Sequence, residues 1–186
     1  SDTFRTIKNI SKSIYTEKRS KFLAFAILAE SVDEVKTIVS EYQKEYYDAR
    51  HVCYAYMLGS ERLEFRANDN GEPSGTAGKP ILGQINSNEL TNILVIVVRY
   101  FGGIKLGTSG LIVAYRQAAA DAIAEAEVVE KTVDEDISFI FEYPFLNDVM
   151  RIVKEENPQI ISQGYDSDCT MTLRIRKGMI PKLKSR

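Results

Sequence analysis

Histidine occurs once in this chain of 186 residues, cysteine twice and tryptophan not at all. With His51 as the sole imidazole and Cys53 and Cys169 far apart, no closed zinc site can be assembled from Cys and His alone. Two thiols in different segments fit a reduced, cytoplasmic protein rather than a disulfide scaffold. Long apolar runs are also missing. "FLAFAILA" and "NILVIVV" are the longest, well short of the roughly 20 residues that a membrane span needs. The opening "SDTFRTIKNISKS" is polar and has no signal-peptide core, and it does not begin with Met, as a trimmed start would not. Neither charge dominates: 24 basic residues face 26 acidic ones, for a net charge of −2. A contact with nucleic acid would therefore need a local basic patch, and sequence-specific reading of DNA is not expected.

What is present is a chain long enough to bury a core in one or two small domains. "KSIYTEKRSKFLAFAILA" reads as two strands around a charged turn, with Phe22, Ala24 and Ala26 on one face and Leu23, Phe25 and Ile27 on the other. Ser31 and Glu34 form a capping box, and Val32, Val35, Ile38, Val39, Tyr42 and Tyr46 follow at helical spacing. "HVCYAYML" is a strand with "RLEFRA" as its hairpin partner, "ILGQINSNEL" is a short helix, and "NILVIVV" is a strand buried on both faces. "LIVAYRQAAADAIAEAE" is a mostly buried helix whose polar line is Gln117, Asp121 and Glu125. Near Lys131 the pattern changes, which places a first domain at 1–130 and a second at 131–186. The second reads strand, helix, strand, strand, a thin core, and "MIPKLKSR" stops as though in mid-element, so either that domain leans on the first or it is incomplete, with a final helix and strand missing.

Two glycine-rich segments carry the candidate chemistry. The first, "RYFGGIKLGTSG" at 99–110, holds four glycines and two cations and lies between a strand and a helix. Amides bared by glycine ahead of a helix N-terminus attract anions. The run nearly matches a nucleotide-triphosphate loop, but Thr108 stands where the lysine belongs, so it is not read as one. Either the glycines serve close packing only, or Arg99, Lys105 and Arg116 turn the loop into an anion mouth, with Tyr100 and Phe101 as flat surfaces beside it. The second segment, "NDNGEPSGTAGKP" at 68–80, fails as a calcium loop because Arg66 and Ala77 occupy the anchor positions. Asp69 and Glu72 there are left for a metal, for acid–base work or for turn bonding. His51 and Cys53 share a strand face and form a candidate Cys–His pair, although nothing marks an orienting group.

Four stretches together resemble the YigZ/Impact family, the bacterial YigZ proteins and the N-terminal domain of eukaryotic Impact proteins. They are "KRSKFLA", "DARHVCYAY", "NDNGEPSGTAGKPIL" and "VVRYFGGIKLGTSGL". Ser109 replaces a glycine of the usual pattern, which puts a Cβ where a left-handed backbone would be strained. The resemblance implies an α+β protein: a two-layer β-α sandwich of ribosomal-protein type, like domain IV of elongation factor G, followed by a small ferredoxin-like domain. It also implies a link to translation and brings no catalytic residues.

The expectation is thus a non-enzymatic regulator binding RNA or the ribosome through a basic glycine loop. Its surface would comprise Arg99, Tyr100, Phe101, Gly102, Gly103, Lys105, Gly107 and Thr108, extended by Lys79, Lys18, Arg19, Lys21, Arg50 and His51. Asp69, Gly71, Glu72, Ser74, Gly75, Thr76 and Gly78 form the second loop beside it. No metal, cofactor or membrane is expected. A module for a translation-related protein partner, or a hydrolase with a Cys/His or carboxylate site, remain as alternatives.

Overall fold

The computed structural model describes residues 2–181. Past Pro181, the expected break in "MIPKLKSR" lies outside the described residues. Arg5–Glu130 forms one compact unit, and residues up to Phe4 with those from Lys131 onward form a second. The elements run β1 (Thr3–Ile7), β2 (Ser11–Glu17), β3 (Ser20–Leu28), α1 (Val32–Glu45), β4 (His51–Leu58), β5 (Glu64–Asn68), α2 (Gly78–Ser87), β6 (Ile93–Tyr100) and α3 (Gly107–Ala124). They continue with β7 (Val128–Thr132), β8 (Asp134–Phe141), α4 (Leu146–Glu156), β9 (Gln159–Tyr165) and β10 (Cys169–Arg176). The protein is α+β, and no described helix is long and apolar enough to cross a membrane.

The first unit is an antiparallel sheet in the order β2-β3-β6-β4-β5. Strand alternation divides its core in two. Phe22, Ala24 and Ala26 of β3 pack with Cys53 and Ala55 of β4 under α2 and α3, where Ile81, Ala114, Tyr115 and Ala118 meet them. Leu23, Phe25, Ile27, Val52, Tyr56 and Leu58 face the other way and are covered by Val35 and Val39 of α1. The expected β-α sandwich is present on the α2/α3 side, and α1 adds a further layer because the opposite face is just as apolar. Residues 93–98 of β6 are fully buried, as a central strand between two helical layers must be. Ser31 caps α1 by accepting from the Glu34 amide at 3.1 Å, while the Glu34 carboxylate reaches one residue further back than a simple capping box, to the Glu30 amide.

Two features depart from the sequence expectation. Helix α3 begins at Gly107, inside the first glycine loop, four residues before Leu111. Gly, Thr, Ser and Gly are weak helix formers, so this turn owes its shape to the seating of Leu106 and Leu111 against the core. Ser109 is consequently helical, with no positive φ, and the strain expected of it does not arise. The second departure is β1 and β7, which the sequence left unassigned. They pair with each other as a two-stranded ribbon, and neither shows a clean alternation.

In the second unit the sheet order is β8-β10-β9, all antiparallel, the β-α-β-β run that opens a ferredoxin-like pattern. Helix α4 covers one face and ends at Asn157, whose φ of 51° makes the left-handed cap. The core beneath it is Val153, Met171 and Leu173, with Phe139, Phe141, Val149 and Met150 partly buried around them.

Candidate functional site

The ends of β3, β6 and β4 place three residues in one row on the α2/α3 face: Phe22 opposite Arg99, and Arg99 opposite His51. Arg99 closes a strand of otherwise apolar residues and is only 6% exposed. A buried guanidinium requires a counterion. It comes from the second glycine loop, where Glu72 accepts from Arg99 Nη1 at 3.0 Å and 2.8 Å through its two oxygens. The same carboxylate lies 3.2 Å from His51 Nε2 and accepts from the Tyr115 hydroxyl at 2.5 Å. Each Glu72 oxygen therefore has two partners, which uses all of its acceptor sites. Arg99 also reaches Ser20 Oγ at 3.4 Å, and its buried Nε has no hydrogen-bond partner.

The second loop is shaped to deliver Glu72. Asp69 accepts from the amides of Gly75, Ala77 and Gly78 at 2.8–3.1 Å, so the chain wraps around one carboxylate. Burial would raise the Asp69 carboxyl, but these three amides, with Lys79 nearby, outweigh it and hold it below the ordinary value. Of its open roles, Asp69 thus takes turn bonding. Asn70 and Gly71 follow with φ of 41° and 86°, and this left-handed pair turns the loop back onto β4. There the Asn70 side chain accepts from the Val52 amide at 2.8 Å, and its carbonyl sits 2.7 Å from His51 Nδ1. Gly78 has no room for a side chain, since a Cβ would lie 2.6 Å from the Asn68 nitrogen. Thr76 bonds the Pro73 carbonyl within the loop, and Ser74 stands exposed.

These elements enclose a cleft of about 310 Å³ lined by Arg50, His51, Glu72, Pro73, Arg99, Phe101, Lys105, Leu106, Gly107, Thr108 and Leu111. Three guanidinium or ammonium cations face a single carboxylate, and that carboxylate is taken up by Arg99. The Arg50 guanidinium lies 4.8 Å from the centre of the Phe101 ring, in cation–π contact. The first turn of α3 enters with no side-chain cap and no acidic residue, so its amides and the positive end of its dipole are uncompensated.

Several sequence expectations need correction here. Arg99 is not a free cation with no carboxylate nearby. It lines the cleft, but its charge is matched internally by Glu72, 27 residues away in sequence. Lys18, Lys21, Lys79 and Arg116 do not line the cleft. Lys21 is opposite Tyr100 in register, on the α1 face, and the Tyr100 hydroxyl donates to Asp48 at 2.9 Å. Cys53 cannot be an activated thiolate. It is fully buried and hydrogen-bonded to the Asp69 carbonyl and the Tyr115 hydroxyl. Burial, above all, pushes its thiol up to about 12, and the Glu72 and Asp69 charges add to this. Each nitrogen of His51 faces an acceptor, so no lone pair is directed at the cleft.

Two of the glycines have specific work. A Cβ on Gly102 would lie 2.1 Å from the Arg19 carbonyl, so only glycine lets this loop rest on the β2–β3 turn. Gly103 holds a φ of 89°, beyond easy reach of other residues. That β2–β3 turn consists of Lys18 and Arg19 alone, both left-handed at φ of 46° and 67°, in a place that usually favours Asn-Gly. Sequence reasoning passed over Tyr115, Leu106 and Pro73. A lone tyrosine on the alanine-rich face of α3 was the one available signal for the first; nothing pointed to the others.

Fold and site together define a two-unit α+β protein whose first unit carries a cation-lined cleft made by two glycine loops. The Impact N-terminal domain family matches residues 18–123. An IMPACT family member of Haemophilus influenzae is 32% identical over 173 residues, covering 90% of this chain and 82% of the relative. The Escherichia coli IMPACT family member YigZ is 34% identical, over 81% of this chain and 74% of its own length. A solved structure described as a hypothetical protein is 27% identical with a TM-score of 0.77, covering 100% of this chain and 91% of that one. The chain belongs to the IMPACT family.

Proposed function

We propose that this chain is a cytoplasmic, translation-associated regulator that grips RNA, free or ribosomal, in the cleft and carries out no reaction there. One observation carries the reading: Arg50, Lys105 and the uncapped start of α3 line one cleft, and the single carboxylate among its described lining residues, Glu72, is already paired with Arg99. Such a site attracts phosphate, and its thiol, imidazole and carboxylate groups are already engaged. Cys53 is a buried thiol, Asp69 is bound by three amides, and Glu72 and His51 are engaged on every side. In this reading Arg50, Lys105, Gly107 and Thr108 meet the phosphate and Phe101 meets a base. Arg99, His51 and Glu72 support them from beneath, and Gly102 and Gly103 hold the loop in place. Residues 1–130 and 131–186 act as two domains, with the phosphate contacts in the first.

The test is binding of RNA and of ribosomes across a salt series. An Arg50→Ala, Lys105→Ala double variant is expected to bind more weakly, with its log–log salt slope reduced by about 2, one for each lost phosphate contact. A folded double variant that binds as tightly as the parent removes the reading. Phe101, 37% exposed, supports a second reading as an anchor for a protein partner. In that case nuclease treatment leaves the captured partner in place, and affinity changes little with salt.

A further inference from the structure

Strand β5 is the last strand of the first unit's sheet. It pairs with β4 on one side, and among the described residues no backbone hydrogen bond reaches its other edge. Such an edge is a template for another strand, and native proteins commonly blunt it with lysine or proline. β5 reads Glu64-Phe65-Arg66-Ala67-Asn68 and has neither. It also displays apolar surface: Phe65 is 56% exposed, and Leu63, just ahead of the strand, is 79% exposed.

The register on β4 fixes the two faces of β5. Phe65 and Ala67 stand opposite Met57 and Ala55, which belong to the core under α2 and α3. Glu64 and Arg66 stand opposite Leu58 and Tyr56, on the α1 side. Both charged residues are exposed, and among the described residues neither side chain has an ion-pair or hydrogen-bond partner.

We infer that β5 is the docking edge for a second copy of this chain, the two β5 strands running antiparallel about a two-fold axis at Phe65. An axis perpendicular to the sheet sets one residue against its own copy and keeps each face continuous, apolar beside apolar. Centred on Glu64, two carboxylates would oppose each other; centred on Arg66, two guanidinium groups would. Earlier centres leave the strand, where Arg62 is bonded to Asn86 and the Leu90 carbonyl. Later ones meet Asn68, whose side chain already accepts from the Asn70 amide. Centred on Phe65, Glu64 of each copy meets Arg66 of the other. Two opposite-charge pairs then form on the α1 side, the Phe65 rings meet on the other, and Leu63 falls opposite Ala67. The sheet's other edge lacks this match, since β2 centred on Ile14 would set Lys12 against Thr16. Two copies joined through β5 form one continuous sheet with α2 and α3 of both on the same side. The contact is a short strand pair, so the association is reversible. It does not depend on the RNA reading of the cleft.

The experiment is sedimentation of the full chain over a concentration series. The parent is expected to pass from monomer to dimer as concentration rises. Glu64→Lys opposes like charges twice in the dimer, and so does Arg66→Glu. Each is expected to weaken self-association by about tenfold or more while keeping the parent's urea midpoint. Mixed in equal amounts, the two variants restore opposite charges at both pairs, and a heterodimer of parent-like affinity is expected. Cys53 and Cys169 are buried, so Phe65→Cys supplies the exposed thiol, which a short thiol crosslinker should join to its own copy. A parent that stays monomeric up to about 1 mM overturns the inference. A dimer that survives both charge variants, or that mixing them does not restore, places the contact on another surface and overturns it as well.

Discussion

Each unit of the molecule contains an arginine–carboxylate pair with good geometry, and the two pairs sit in opposite surroundings. In the first unit Arg99 and Glu72 have side chains 7% and 3% exposed. In the second, Arg174 meets Asp136 at 2.8 Å and 3.2 Å, but the two side chains are 46% and 44% exposed. The contrast extends to the cores. The first unit buries apolar clusters on both faces of its sheet, whereas the second has helix α4 on one face and leaves Ile140, 71% exposed, on the other. Depth decides what a pair does. Water screens Arg174 and Asp136 and can replace either partner. Nothing replaces Glu72 beneath Arg99, and the buried pair ties a loop, a strand, a helix and a cleft wall into one arrangement.

The largest expected effect follows from removing one side of the buried pair. Glu72→Ala leaves Arg99 uncompensated and should cost the first unit about 3–5 kcal/mol, read as a drop in the urea midpoint. A change too small to measure would mean that the pair is solvated and that the contrast between the units is false. Next comes Leu173→Ala. It should remove about 2–5 kcal/mol from a small core, whose buried cluster among the described residues is Val153, Met171 and Leu173. If residues 131–186 form a domain of their own, proteolysis of this variant should trim the C-terminal part and spare Arg5–Glu130. Loss of both together would show that they fold as one. Gly102→Ala forces the loop off Arg19 and should cost about 1–3 kcal/mol while weakening RNA binding. Parent-like stability and binding would show that the close approach does not matter. The smallest effect is expected from Arg174→Ala, whose unfolding midpoint should stay within the scatter of the parent, since both side chains of the pair are nearly half exposed to water. A clear destabilisation there would put the second unit's pair on the same footing as the first's.

How much of this could be read from the chain depends on the range of the interaction. The β2–β3 hairpin, the cap at Ser31, the stripe on α1 and the buried strand β6 follow from spacing within a dozen residues, and they stand where that spacing put them. Strands β1 and β7 were missed because each finds its partner more than a hundred residues away and neither has a strong pattern of its own. The same limit applied at the site. Both glycine loops, and most residues of the cleft, were singled out from residue type and spacing together with the family resemblance. The charge on Arg99 was nevertheless misjudged, because no acid is near it along the chain.

The sequence by itself determined most of the strands and helices, though not β1, β7 or the first turn of α3, and that two glycine-rich loops hold the polar chemistry. Those follow from local backbone sterics and from the periods of strand and helix. Only the tertiary structure decided that Glu72 swings beneath Arg99, that Cys53 is sealed under Tyr115, and that Lys105 and Arg50 share a cleft while Lys18 and Lys21 part company. Electrostatic energy depends on distance and on exclusion of water, and both are set when remote segments pack, not by the order of residues along the chain.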